Sequence, residues 1–252
     1  MSHQDTYTHN QAYADFLAGW DENFYAKYAD TLKPAVPGGR VLDVGCGVGQ
    51  VVGRLMQAGY EAYGVDVSEP SIAKARQYTD RCQTYDGSRL PFPDNHFDSA
   101  GALNVLEHVD EAESFIREIV RVVRPQGKVL ISSPNFLRAI GFRDYHPKMR
   151  GLANKWKNAS RLLEKRRQMR QSPESVRFDR MIPIVKVPFT PDDDAIIATN
   201  ALEIAFFLKQ FGCEIQSALC TDRYVAKPLD FLLNLTFLRY GMLCAFVVAR
   251  KG

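Results

Sequence analysis

The sequence predicts an α/β domain built on an open, mostly parallel sheet, and three observations predict it. The apolar run Val41-Leu42-Asp43-Val44 ends in glycines at 45, 47 and 49, and an amphipathic segment follows from Gln50. That is the order of a buried strand, a tight turn and the start of a helix. Short apolar runs then alternate with helical segments as far as Asn135, the pattern of parallel strands joined by crossover helices. Several of these runs end in polar residues (Asp66, Asp86, Asn104 and Asn135), and ligands of open α/β sheets bind at the carboxyl ends of the strands.

Bulk properties fit one soluble unit. The chain has 252 residues, 46% hydrophobic and 24% charged, enough for a substantial core. Its five cysteines (Cys46, Cys82, Cys213, Cys220 and Cys244) are odd in number, with no Cys-x-x-Cys pair. With a polar start and no leader pattern they read as reduced thiols of a cytoplasmic protein. Neither a disulfide framework nor a metal site is expected. Leu229 to Val248 is strongly apolar but interrupted by Asp230, Asn234, Arg239 and Gly241. A spanning helix would put Arg239 near membrane depth at about 2.5 kcal/mol or more. The expected reading is a short helix, a turn near Arg239 to Gly241 and a terminal core strand, Met242 to Ala249. A surface helix making peripheral membrane contact is the alternative.

Along the chain, residues 8–33 carry Tyr13, Phe16, Leu17, Trp20, Phe24, Tyr25 and Tyr28 at helical intervals. They suit packing or a lid over the site, and residues 34–39 link them to the first strand. The glycines of the following turn are needed because it requires permissive dihedrals and a close approach to the backbone. The second strand, Tyr63 to Val67, contains Asp66, 17 residues after Gly49, where a carboxylate can accept two hydrogen bonds from a ribose diol. Tyr85-Asp86-Gly87 follows a third strand. Phe97 to Leu103 forms a fourth, running into a polar tip from Asn104 to His108. Asp110 and Glu113 suggest a capping pair for a helix with Phe115, Ile116, Ile119, Val120 and Val123 on its apolar face, and Gly127 to Asn135 is the fifth strand.

Taken together, the Val-Leu-Asp-Val-Gly-Cys-Gly-Val-Gly loop, the Asp66 strand end, Asp86 and the Leu106-Glu107-His108-Val109 element resemble the class I S-adenosylmethionine-dependent methyltransferases. The likeness is to their small-molecule branch, close over Arg40 to Asn135 and looser beyond. Competing nucleotide motifs fit less well. A dinucleotide fingerprint wants glycine where Gln50 stands, and a P-loop needs a Gly-Lys-Ser/Thr that is absent. The resemblance implies a Rossmann-like sheet of about seven strands, mostly parallel with an antiparallel C-terminal strand, and helices on both faces. It implies S-adenosylmethionine as cofactor and S-adenosylhomocysteine as product. It further implies that Asp43, Gly45, Cys46, Gly47 and Gly49 line the methionine side, and that Asp66 holds the ribose with Val67 beside the adenine. Asp86 would accept from the adenine amino group with Gly87 and Ser88 near it, and Asn104 would sit under the sulfonium.

The chain is expected to be one domain: a helical lid over 1–39, a cofactor-binding core over 40–135, a basic insertion over 136–191, and a C-terminal helix and strands over 192–252. From Arg138 through Arg180 there are 13 Lys or Arg against four Asp or Glu; this net +9 leaves −6 for the rest of a chain whose total is +3. Lys155, Lys157, Arg161, Lys165, Arg166, Arg167 and Arg170 fall in an expected helix with Trp156, Leu162, Leu163 and Met169. Such a face is a solvated helix, a contact for an anionic or sugar-containing small-molecule acceptor, or a nucleic-acid surface. Stacking aromatics, which RNA binding would use, are sparse there. A strand is expected over Ile182 to Val187. A helix is expected after Thr190-Pro191-Asp192, with Ile197, Ala201, Ile204, Leu208 and Phe211 on one face.

Methyl transfer from a sulfonium is an in-line displacement, so alignment supplies much of the acceleration. A hydroxyl acceptor must also lose a proton, which gives a base of near-neutral pKa a role. His108, just past the fourth strand, is the first candidate for that catalytic role; His146, in Phe142 to Arg150, is the second. Lys186 and Asp192 to Asp194 are loop electrostatics or acceptor contacts. The expected reaction is O-methylation of a small metabolite or glycan-type acceptor. RNA methylation using the basic insertion and a non-catalytic cofactor-binding or membrane-docked partner role are the alternatives.

Overall fold

In the computed structural model the described residues are 3, 5–20, 23–141, 144–184, 190, 192–220 and 226–252. The side chain of Phe24, and the residues Phe142, Arg143, Lys186 and Pro191, lie outside the described parts, as does half of the strand expected over 182–187.

Among the described residues seven strands form one sheet. They are β1 (Arg40–Val44), β2 (Glu61–Asp66), β3 (Cys82–Thr84), β4 (Phe97–Leu103), β5 (Val123–Pro134), β6 (Cys213–Leu219) and β7 (Cys244–Lys251), in the order β3-β2-β1-β4-β5-β7-β6. The first five run parallel, and β7 inserts antiparallel between β5 and β6. Strand order reverses between β1 and β4, and a crevice opens at such a switch point beyond the carboxyl ends. The chain segments leaving β1 and β4 are the glycine loop and the Asn104–His108 tip, so topology alone brings them together.

The sheet's period of two divides β1 between its faces. Leu42 and Val44 join Ile116 and Ile119 of α6 (Ala112–Val122) and Ile204 and Leu208 of α8 (Ala201–Gln210). Val41 joins Tyr28 and Leu32 of α3 (Asn23–Leu32) and Val52 and Leu55 of α4 (Gln50–Gln57). Helices thus cover both faces. Two short helices, α1 (Asp5–Thr8) and α2 (Gln11–Ala18), precede α3, and α5 (Glu69–Ala75) follows β2.

Some local expectations give way to tertiary contacts. Neither Asp110 nor Glu113 caps α6. Asp110 accepts a hydrogen bond from the His3 N–H, and Glu113 accepts one from the Phe178 N–H at 3.1 Å. The helix expected from 192 begins only at Ala201, with the Asn200 side chain accepting from the Glu203 N–H. Residues 195–198 are all buried and bind neighbouring loops, the N–H groups of Ile196 and Ile197 both donating to the Glu107 carbonyl. Burial on every side removes the one-faced pattern that a surface helix requires. Ile182, expected in a strand, is 91% exposed.

The basic insertion does form a long helix, α7 (Leu152–Gln171), whose buried residues are Lys155, Asn158, Leu162 and Lys165. Its inward charges are spent on structure. Lys155 Nζ and the fully buried Arg138 Nε both reach the Asp144 carboxylate at 2.8 Å. Arg161 grips Asp179 with two nitrogens at 2.8 and 2.6 Å, and Lys165 lies 2.9 Å from Asp179 and 2.7 Å from Glu203. The C-terminal apolar stretch resolves into α9 (Lys227–Asn234), a 3₁₀ turn over Phe237–Gly241 and β7. Among the described residues no helix is long and apolar enough to cross a membrane.

Candidate active site

A cleft at the switch point is lined by Asp43, Gly45, Cys46 and Gly47 from β1 and its loop, Asp66 and Val67 from β2, Asn104 and His108 after β4, and Asp192 to Asp194. Its outer wall is aromatic: Tyr7, Tyr13, Phe16, Trp20 and Tyr25. The lid reading of residues 8–33 therefore matches their position, except that Tyr28 is buried beneath the site, its hydroxyl donating to Asp43 Oδ1 at 3.1 Å.

The glycine loop is shaped by hydrogen bonds that leave no room for a side chain. Gly45 and Cys46 both donate to the Val65 carbonyl, at 2.8 and 3.0 Å. Gly45 has φ +74°, and a Cβ there would lie 2.3 Å from the Val105 side chain. Gly49 closes the loop in a left-handed conformation as the residue before α4. Asp66 ties the loop to β2: its two oxygens accept from the Gly47 N–H at 2.8 Å and the Ser68 N–H at 2.9 Å. Each oxygen keeps a lone pair for a further donor. Asn104 adopts φ +52°, an unusual conformation for a residue with a side chain, on a segment whose N–H is held by the Ser132 carbonyl.

A second polar cluster surrounds His108. The Tyr7 hydroxyl donates to Asp194 Oδ2 at 2.5 Å and lies 3.3 Å from His108 Nδ1. With the tyrosine proton given to Asp194, the tyrosine oxygen is left to accept from Nδ1–H, which assigns the remaining lone pair of the ring to Nε2. Nε2 faces Glu107 Oε1 at 3.9 Å. Burial pulls the His108 pKa down against the attraction of Asp194, so the ring is neutral near neutral pH. Burial also raises the carboxylates around it: Asp192 to about 6, and Glu107 well above the ordinary range with Asp192 and Asp194 adding to the rise. Beneath the cofactor side, burial lifts Asp43 to about 7.

Not every residue expected at the site is there. Gly49 shapes the loop without lining the cleft, and neither do Asp86, Gly87 and Ser88, whose strand end instead contributes Tyr85. Asp86 is exposed and its Oδ1 caps the N–H groups of Ser88 and Arg89. His146 is not in the cleft either. Its Nδ1 accepts from the Lys148 N–H at 3.2 Å, it is 4% exposed, and its ring packs edge-on against Phe136 at 5.0 Å. It caps a short turn, which explains why a histidine stands there. Conversely, Tyr7 and Glu107 were not singled out. Tyr7 lies ahead of the aromatic series and Glu107 reads as part of a motif, so only their spatial meeting with His108 reveals them.

Residues 42–131 match a family model described as a methyltransferase domain. Over that segment the chain is similar to the S-adenosylmethionine-dependent methyltransferases. It is 33% identical over 162 residues to a 27-O-demethylrifamycin SV methyltransferase of Amycolatopsis mediterranei, covering 51% of this chain and 60% of that one. It is 34% identical over 135 residues to a sterol 24-C-methyltransferase of Gibberella zeae, covering 43% and 36%. The chain therefore spans between about a third and three-fifths of the length of these relatives. The fold is shared with an S-adenosylmethionine-dependent methyltransferase of Mesorhizobium loti, at TM-score 0.57 and 18% identity over 90% of this chain and 97% of that one. The family's cofactor is S-adenosylmethionine, and the residues at the switch point suit it. Asp66 offers lone pairs to a diol, Gly47 and Cys46 offer close backbone, and carboxylates await a cationic sulfonium.

Proposed function

We propose that the protein transfers the methyl group of S-adenosylmethionine to a hydroxyl oxygen of a small, uncharged acceptor bound between the aromatic lid and the 190–194 segment. The observation that carries this reading is the position of His108, in the same cleft as Asp66 and the glycine loop and set beside Tyr7 and Asp194, with Glu107 next to its ring. A thioether acceptor has no proton to lose, whereas a hydroxyl must shed its proton as its oxygen attacks. In balance, the acceptor O–H and the S–CH3 bond break and an O–CH3 bond forms. S-adenosylhomocysteine and a proton leave.

The lining also speaks to acceptor charge. Among the described residues of the cleft there are five aspartates and no lysine or arginine, so an anionic acceptor would meet repulsion. Aromatic walls favour an acceptor with flat or apolar faces. The basic insertion contributes none of its described cations to this wall. Among the relatives whose names state an acceptor atom, two name oxygen and one names carbon, which supports oxygen as the acceptor atom.

The test is a labelled-methyl assay over neutral phenols, sterols, macrolactones and sugars, beside His108→Ala. The reading expects product on oxygen, and turnover in the variant lowered by roughly 10²-fold or more at unchanged cofactor affinity. Full turnover in His108→Ala would contradict it.

A further inference from the structure

The cluster around His108 brings together three side chains able to ligate a cation. Glu107 is 0% exposed, and among the described residues neither of its carboxylate oxygens has a hydrogen-bond partner. An unpaired buried carboxylate is costly unless something neutralises it. One oxygen faces the lone pair of His108 Nε2 at 3.9 Å, too far for a hydrogen bond yet suited to a common ion about 2.1 Å from each. Asp192 completes the set: one ligand atom from each of Glu107, His108 and Asp192 lies within 4.8 Å of the others. His108 Nδ1 is meanwhile held by Tyr7 and Asp194, the outer hydrogen bonding that orients a metal-bound imidazole.

We propose that Glu107, His108 and Asp192 bind one divalent cation at the edge of the cofactor cleft. Two carboxylates and one imidazole suit Mg²⁺, Mn²⁺ or Fe²⁺ in preference to a thiolate-loving metal. This inference rests on the methyl-transfer reading only for the ion's purpose. There the open coordination positions would take the acceptor hydroxyl and acidify it beside the sulfonium, its proton passing to water.

The test uses Mn²⁺ alone as probe, its free aqua ion followed by electron paramagnetic resonance, on wild type, Glu107→Gln, Asp192→Asn and the surface control Glu164→Gln. S-adenosylmethionine is titrated on the same samples. The expected result is one Mn²⁺ per chain, weakened at least tenfold by either site change and unaltered in the control. Asp192→Asn, on the cleft wall, carries the test where Glu107→Gln does not fold. Absence of Mn²⁺ binding, or equal binding in all four proteins, overturns the site. Mn²⁺ bound at the site by a protein that does not bind S-adenosylmethionine would keep the site and sink the methyl-transfer reading.

A separate observation points to a surface. Leu229, Phe231, Leu232, Leu235 and Leu238, in α9 and the turn after it, are each 51% to 64% exposed. The neighbouring helix α7 presents exposed basic residues, and its Arg166 guanidinium lies 4.5 Å above the Phe237 ring of the same turn. An apolar strip flanked by cations matches an anionic bilayer surface. We infer that this strip docks the protein on such a membrane. Co-sedimentation with phosphatidylserine-containing vesicles should exceed that with neutral vesicles, fall with salt, and drop at least fivefold in both Leu232→Glu and Arg166→Glu. No sedimentation of wild type, or sedimentation of both variants equal to that of wild type, overturns it.

Discussion

Gly45 shows how tightly single residues define the cofactor site. Its φ of +74° and the 2.3 Å approach to Val105 mean that even a methyl group must displace the segment carrying Asn104. Gly45→Ala is expected to lose at least tenfold in cofactor affinity and about 1–3 kcal/mol of stability, read by calorimetric titration and thermal unfolding. Wild-type affinity would show that the loop is free to move. At this scale the sequence was legible where a residue type is demanded by backbone geometry or by one ligand group, as with Gly45, Gly47 and Asp66. It misled where a polar residue has two uses. Asp86 and His146 stand near the expected positions but serve as caps for neighbouring N–H groups. Glu107 was illegible as a separate group because its meaning depends on Asp192, 85 positions later in the chain.

Among the elements, strands and crossover helices were legible because each alternates or repeats with its own period, and β1 shows the division between faces directly. The beginning of α8 was not, since residues 195–198 are buried all round and their backbone is claimed by Glu107 and Asp179. The charged helix α7 was legible as a helix but not in its purpose. Its inward cations hold Asp144, Asp179 and Glu203. For Asp179, burial would raise the pKa, but hydrogen bonds from Arg161 and Lys165 outweigh it and hold the carboxyl at about 2, below the ordinary 3.8. A depressed carboxylate stabilises the fold above its unfolded pKa and loses that contribution as pH falls through the folded value. Asp179→Asn should therefore lower stability by about 2 kcal/mol at pH 7. The gap to wild type should close between about pH 4 and pH 2, measured by denaturant titration at each pH. A gap that stays constant down to pH 2 would show that the pair is not linked to folding.

For the molecule as a whole, the charge distribution and the cleft belong to different faces of the problem. The net positive charge read in 138–180 is partly neutralised within the fold, while the cleft's described ionisable lining is acidic apart from two histidines. An acidic cleft suits a cationic cofactor and an uncharged acceptor, and the described cations of the basic insertion lie outside its lining. Sheet order, which no local pattern reveals, is what places the glycine loop beside the Asn104–His108 tip.

The central claim is that this cleft binds S-adenosylmethionine through Asp66 and the glycine loop. Calorimetric titration of wild type and Asp66→Ala with S-adenosylmethionine and S-adenosylhomocysteine tests it most directly. Loss of charge-assisted hydrogen bonds at about 1.5–3 kcal/mol predicts one-site binding by wild type, weakened roughly 10- to 100-fold in a variant that remains folded. Equal binding by both proteins, or none by folded wild type, would contradict the account.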